Sequence, residues 1–205
     1  MPHQDLTIDG EKWPSVSEVG ALLAKPDLNR WREYKGTKEA NRISKEAADR
    51  GRALHDLVER HLKGEAITFC GEAKELEPTF KVWFEWWTAS GYKGVIQEAH
   101  VVSQKYKYHG TLDCILVNDN GEKVIVDWKF SNNDDDLRVL QLAGYAQGVL
   151  EHTAEKIKLG MIVRVDKLGK VHVTEYKNLW KYVPLFLGLR RVWDFVNQKG
   201  KFLKE

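Results

Sequence analysis

Gly110-Thr111-Leu112-Asp113-Cys114-Ile115-Leu116-Val117, Asn118-Asp119-Asn120-Gly121, Val124-Ile125-Val126-Asp127-Trp128-Lys129: two apolar, β-branched runs flank a segment with the Asn/Asp/Gly chemistry of a short hairpin turn. Side chains alternate along a strand, so Asp127 and Lys129 share one face. Pairing Val117 with Lys123 sets Asp113 opposite Asp127. Directly opposed Cβ atoms lie about 4.5–5.5 Å apart, where two like charges destabilise a sheet unless something neutralises them. A divalent cation does so, and hard oxygen ligands suit Mg2+ or Mn2+ better than Zn2+. On this reading, Asp113→Asn weakens metal binding and, without metal, relieves a repulsion and stabilises the fold. The competing account is an Asp113 solvated on an exposed face, with Lys129 as its ion-pair partner.

Two helical segments flank the hairpin in sequence. Residues 37–62 have helical periodicity, with Leu54, Leu57, Val58 and Leu62 as the apolar stripe and His55 and Glu59 one turn apart on an adjacent face. Gln141 and Tyr145 have the same i,i+4 spacing on a helix expected to begin in the Asp134-Asp135-Asp136 run. Acidic residues suit a helix start through the macrodipole, so that run needs no catalytic explanation.

Taken in order, Gly51-Arg52-Ala53-Leu54-His55-Asp56-Leu57-Val58-Glu59, Gly110-Thr111-Leu112-Asp113, Val126-Asp127-Trp128-Lys129 and Gln141-Leu142-Ala143-Gly144-Tyr145 resemble the motifs of the PD-(D/E)XK nucleases of the RecB type. Within that superfamily the chain is similar to phage RecB-like exonucleases and to the mitochondrial genome maintenance exonuclease. The resemblance spans roughly residues 13–150, since Trp13-Pro14-Ser15-Val16-Ser17 also resembles the N-terminal signature of the phage members. It implies that His55, Asp113, Asp127 and the backbone carbonyl of Trp128 ligate one or two Mg2+ or Mn2+ ions. Lys129 would touch the attacking water or the scissile phosphate, and Gln141 and Tyr145 would orient that lysine or the nucleic-acid backbone. Glu59 and Glu98 are candidate outer carboxylates. The activity implied is hydrolysis of phosphodiester bonds in DNA, by an exonuclease favouring single-stranded or free ends, in phage recombination, replication or repair. A recombination or replication protein is the candidate partner. Cys70 and Cys114 are too few and too far apart for an iron–sulfur cluster, which sets the chain apart from the CRISPR-adaptation nucleases of the superfamily. The rival readings are a structure-specific endonuclease and a DNA-binding member that does not cut.

The architecture expected from the whole chain is α/β: a restriction-endonuclease-like mixed central sheet flanked by helices, with an N-terminal helical cap. At 205 residues and 42% hydrophobic content, one core and a single domain are expected. Residues 1–92 would form the cap and flanking helices, 93–177 the sheet and active-site core, and 178–205 a C-terminal helical region. A capping box at Ser15 and Glu18 opens a short helix through Leu23, and Pro78 opens another that ends at Ser90 before Gly91. Residues 157–165 and 170–176 read as a strand pair around a turn at 166–169. The last helical region, 179–202, should be interrupted near Pro184 or Gly188.

A net charge of +2 is too small to argue for nucleic-acid binding by itself, but its distribution is uneven. Basic residues outnumber acidic ones between Lys25 and Arg52, and Arg190, Arg191, Lys199, Lys201 and Lys204 form a second surplus. From the first patch, Arg30, Arg32, Lys35, Arg42 and Arg52 are candidate phosphate contacts. Trp31 and Tyr34 are candidate platforms for unpaired bases, a contact worth about 1–3 kcal/mol per base. Two cysteines, no apolar stretch of membrane-spanning length and no signal sequence predict a soluble cytoplasmic protein of phage or bacterial type, with no membrane partner.

Overall fold

Strand Lys123–Lys129 is apolar on both sides. Val124, Val126 and Trp128 enter one hydrophobic cluster and Ile125 the other, so it must lie inside a sheet covered on both faces. A computed structural model describes residues 6–8, 10–23, 26–132 and 136–197. Lys25, Asp134, Asp135, Lys199, Lys201 and Lys204 of the sequence reading lie outside the described residues.

In chain order the elements are β1 (Leu6–Ile8), β2 (Glu11–Trp13), α1 (Val16–Gly20), α2 (Pro26–Lys35), α3 (Thr37–Leu62), α4 (Glu77–Ser90), β3 (Lys93–Ser103), β4 (Tyr108–Val117), β5 (Lys123–Lys129), α5 (Val139–Thr153), β6 (Leu159–Val165), β7 (Val171–Tyr176) and α6 (Val183–Asn197). Strands β3 to β7 form one mixed sheet in sequential order. Only β5 and β6 run parallel, joined by the crossover helix α5, and the other three pairs are antiparallel. The separate hairpin β1–β2 precedes α1.

Each face has its own core. Val16, Val19, Leu142, Ala146 and Phe186 of α1, α5 and α6 pack with Ile125 and Ile162 on one side. Leu54, Leu57, Val58, Phe80 and Trp83 of α3 and α4 pack with Val126, Trp128, Met161 and Val163 on the other. Close approach explains Gly144: a Cβ there would lie 2.8 Å from the Phe186 ring, so glycine lets α6 settle on α5.

The hairpin register is the one the alternation predicts, with Val117 paired to Lys123. Helix α4 has Pro78 in its first turn and ends on Gly91 at φ +73°, a left-handed cap that suits glycine. Several boundaries differ from the sequence expectation. Helix α1 stops at Gly20, three residues before Leu23. A 3-10 turn over Asp136–Arg138 comes first and α5 itself starts at Val139, so the helix proper does not open in the acidic run. Ile157 precedes β6 rather than joining it. Pro184 sits in the first turn of α6, where its missing N–H goes unneeded, and Gly188 is crossed without a break. Among the described residues no helix is long and apolar enough to cross a membrane.

Candidate active site

The ladder between β4 and β5 runs from Val117–Lys123 to Cys114–Val126 and ends there. Asp113 and Asp127 are next in register, but the Trp128 amide instead donates to Asp113 Oδ2 at 2.8 Å. The neighbouring strand is irregular at the same level. Between the pairs Gln97–Cys114 and Ala99–Leu112, Glu98 takes φ +48°, a left-handed backbone that costs a non-glycine residue about 1–3 kcal/mol. Residues two apart on a regular strand share a face. Here Leu112 lies in the core under α5, whereas Cys114 and Leu116 lie in the core under α3 and α4. The change of face falls at Asp113, whose carboxylate turns into the opening between β4 and β5.

Helix α3 reaches this opening because Leu54, Leu57 and Val58 are buried against the sheet, which leaves His55 at the edge of the stripe. His55 Nδ1 stands 3.5 Å from Asp113 Oδ2, and its ring meets Phe130 edge-on at 5.5 Å. One ligand atom each from His55, Glu98 and Asp113 lie within 4.8 Å of one another. Asp127 lies outside this trio but close enough to feel the charges of Asp113 and His55: Oδ1 accepts from Lys129 Nζ at 2.7 Å, while Oδ2 is buried with no hydrogen-bond partner. An unsatisfied buried carboxylate oxygen is unfavourable unless a donor or a cation meets it. The trio of one imidazole and two carboxylates, with the orphaned oxygen of Asp127 as a neighbour, is a donor set that fits a divalent ion of Mg2+ or Mn2+ type.

The electrostatics separate the two aspartates. Burial pushes the Asp113 carboxyl upward, but the charge and hydrogen bond of His55, with Lys129 and the Trp128 amide, outweigh it and hold the group below the usual range. Burial also raises Asp127; Lys129 opposes the rise, Asp113 adds to it, and the net shift is upward. Glu98 is raised by burial and then by Asp113 and Glu59. Burial would lower His55, yet Asp113 wins and holds the imidazole above its ordinary value.

Gln141 and Tyr145 reach the site from α5. Burial, reinforced by the charges of Asp113 and Asp127, drives the Tyr145 phenol well above its usual pKa, so it stays neutral. The Gln141 amide donates to Ser17 Oγ at 2.9 Å. Gly110 makes room for this helix, since a Cβ there would fall 2.8 Å from the Tyr145 ring and 3.0 Å from Val16. Within Trp13-Pro14-Ser15-Val16-Ser17, Ser15 caps α1 through a capping box with Glu18, Val16 is core, and Ser17 holds Gln141. Ser17 was missed as a site residue. Its signals in the sequence were its place two residues beyond a helix cap and its membership of the Trp13–Ser17 stretch.

Glu98 moves inward relative to the sequence reading, from candidate outer carboxylate to a member of the ligand cluster. Glu59 is ion-paired with Lys63 one turn along α3. The Trp128 ring is anchored edge-on between Trp83 and Trp86 at 5.7 and 5.9 Å. Of the nucleic-acid candidates, Arg42 is paired with Glu39 and Glu46, Arg52 with Asp49, and Arg32 donates to Asn41. Tyr34 is 84% exposed with Lys35 over its ring, Trp31 is half-buried, and Arg30 is exposed on α2.

Strain at Glu98 gives a direct test of why it is there. Glu98→Gly is expected to raise the metal-free melting temperature by a few degrees, by about 1 kcal/mol of relieved backbone strain. Calorimetric Mn2+ affinity should fall by about ten-fold or more. A lower melting temperature would show that the carboxylate contributes more to the fold than its backbone costs.

No protein-family model and no curated protein matches the chain. Among solved structures, a "Putative exonuclease" from Eubacterium rectale superposes with a TM-score of 0.50 at 14% identity, covering 74% of this chain and 69% of that one. The protein SSO0001 gives a TM-score of 0.49 at 16% identity over 95% of this chain and 80% of its own. The alkaline exonuclease LHK-Exo from Laribacter hongkongensis gives 0.39 at 13% identity, covering 92% and 93%. Likeness at this level is one of fold, and the chain is a mixed α/β protein whose five-stranded sheet, flanked by helices, is similar to nuclease folds.

Proposed function

We propose that the chain is a metal-dependent deoxyribonuclease that hydrolyses phosphodiester bonds, acting as an exonuclease on single-stranded ends. The observation that carries this reading is the cluster of ligand atoms from His55, Glu98 and Asp113, beside a buried Asp127 whose Oδ2 is orphaned and whose other oxygen holds Lys129. His55, Glu98, Asp113 and Asp127 would hold Mg2+ or Mn2+, with the Trp128 carbonyl as a further donor. When bound, such an ion makes a water nucleophilic at neutral pH and offsets charge on the phosphoryl oxygens.

The chain's own groups supply the rest. Lys129, tethered by Asp127, presents an ammonium where negative charge develops on the phosphate or on the attacking water. Neutral Tyr145, packed on Gly110 of β4, and Gln141, pinned by Ser17 of α1, would orient Lys129 or the nucleic-acid backbone. No thiol is suited to the role of nucleophile at this site. Cys114 is core, with its pKa pushed up to about 12 by burial and then by Asp113, and Cys70 is exposed just before a 3-10 turn over Gly71–Leu76.

End dependence is supported by α2, whose Leu28 and Asn29 line the same cavity as Lys129, so a helix of the cap stands beside the site. A cap that admits one strand but not a duplex confines cutting to ends. The resemblance of the motifs to phage nucleases supports a place in phage or bacterial recombination, replication or repair. The test offers Mg2+ with linear strands labelled at each end and with closed circular strands. Linear strands should shorten from an end while circles survive. Rapid cutting of circles would replace the exonuclease with an endonuclease, and strands bound but left full length would leave a DNA-binding protein that does not cut.

A further inference from the structure

Arg138 stands immediately before α5, and its Nε is buried without a hydrogen-bond partner. A guanidinium offers donors in a fixed planar fork suited to phosphate, and a desolvated donor left unmade is unfavourable. Arg138 borders a cavity of about 630 Å3 whose wall also includes Lys129 and Gln141. Ser17 and Asn29 add further hydrogen-bonding groups from α1 and α2, and Leu22 and Leu28 supply an apolar side.

None of the described lining residues is acidic. Lys129 is already engaged by Asp127, whereas Arg138 has no carboxylate on it among the described residues. The volume falls within the range of small-molecule sites, on the order of 300–1,000 Å3, a size that suits one nucleotide.

We propose that this cavity is a nucleotide subsite: Arg138 binds a backbone phosphate of a single strand, neighbouring the phosphate at Lys129, and the leucines receive the adjoining sugar and base. The inference deepens the nuclease reading and rests on it for the identity of the ligand. It separates this cavity from the basic arm of α2 and α3, where Arg42 and Arg52 already have acidic partners on their own helix. Salt dependence is the signature of such a contact, since each phosphate neutralised releases counterions and steepens the fall of affinity with salt.

The experiment measures binding of a fluorescent oligothymidylate by anisotropy with Ca2+ in place of Mg2+, across a salt series. Arg138→Gln is expected to raise Kd about ten-fold and to flatten the salt slope by about 0.7–1, while Arg138→Lys recovers most of that slope. Calorimetric Mn2+ affinity should not change in either variant. Asn29→Asp, an exposed position on α2, should also weaken binding by setting a negative charge in the cavity. Wild-type binding with unchanged Kd and slope in both Arg138→Gln and Asn29→Asp would overturn the subsite and leave the nuclease reading intact. Binding that depends on Arg138 in a protein that cuts nothing with Mg2+ would keep the subsite and overturn the nuclease reading. A wild-type protein that binds no strand would overturn both.

Discussion

Lys129→Ala is expected to slow strand cleavage by about 10²–10³-fold, the effect of removing one preorganised donor from developing negative charge, while strand binding with Ca2+ stays within a few-fold. The argument is positional. Lys129 Nζ lies 2.7 Å from Asp127 Oδ1, its side chain is 19% exposed, and the same residue faces the cavity that Arg138 borders. In the metal-free protein its charge opposes the upward shift of Asp127, so removing it leaves a buried carboxylate with neither oxygen satisfied. A divalent ion then offsets that charge more strongly than His55, which also favours it. Mn2+ affinity should therefore hold or rise in the variant while turnover collapses. That divergence distinguishes a residue acting on the reacting phosphate from one that merely props up the metal site, which would lose both together. Near-normal turnover would remove Lys129 from the chemistry.

How much of this site could be read from the chain depended on whether local patterning carried the information. The β4–β5 hairpin was legible because alternation, an Asn-rich turn and β-branched runs all point to one register. His55 was legible as the residue beside the Leu54–Leu57–Val58 stripe, which fixes where α3 turns it. Glu98 was not. Lys93-Gly94-Val95-Ile96-Gln97-Glu98 does not alternate cleanly, most of it is exposed, and a left-handed backbone at a glutamate leaves no compositional mark. The break in α6 expected at Gly188 failed for a different reason. An added Cβ there would meet nothing within 4 Å, and the modest loss of helix propensity, about 1 kcal/mol, is offset by burial of Phe186, Arg190 and Trp193 around it. The acidic run before α5 suggested an earlier helix start, yet a 3-10 turn intervenes and brings Arg138 to the cavity, a placement that no spacing rule encodes.

Asp113→Asn and Asp127→Asn are expected to behave alike toward metal and oppositely toward the metal-free fold. Either change removes a ligand and should weaken Mn2+ binding by more than about ten-fold, at least as much as losing a group that only supports a ligand. Simple repulsion between opposed carboxylates predicts that Asp113→Asn stabilises the metal-free protein; the structure reverses this for Asp113 and transfers it to Asp127. The folded-state pKa of Asp113 is depressed, so its charge contributes stability that is present above the ordinary aspartate range and lost as pH falls through the depressed value. At neutral pH, Asp113→Asn forfeits the His55 contact, on the order of 1–3 kcal/mol, and the melting temperature should drop by several degrees. The pKa of Asp127 is raised, so its contribution is greatest below the unfolded value and is lost as pH climbs through the raised one. At neutral pH its charge is a burden on the metal-free fold, and Asp127→Asn should leave the melting temperature unchanged or higher despite the lost contact to Lys129. Thermal melts in chelator at pH 7, beside Mn2+ calorimetry, decide it. A rise with Asp113→Asn would restore the repulsion account, and wild-type Mn2+ affinity in Asp127→Asn would take that orphaned oxygen out of the metal site.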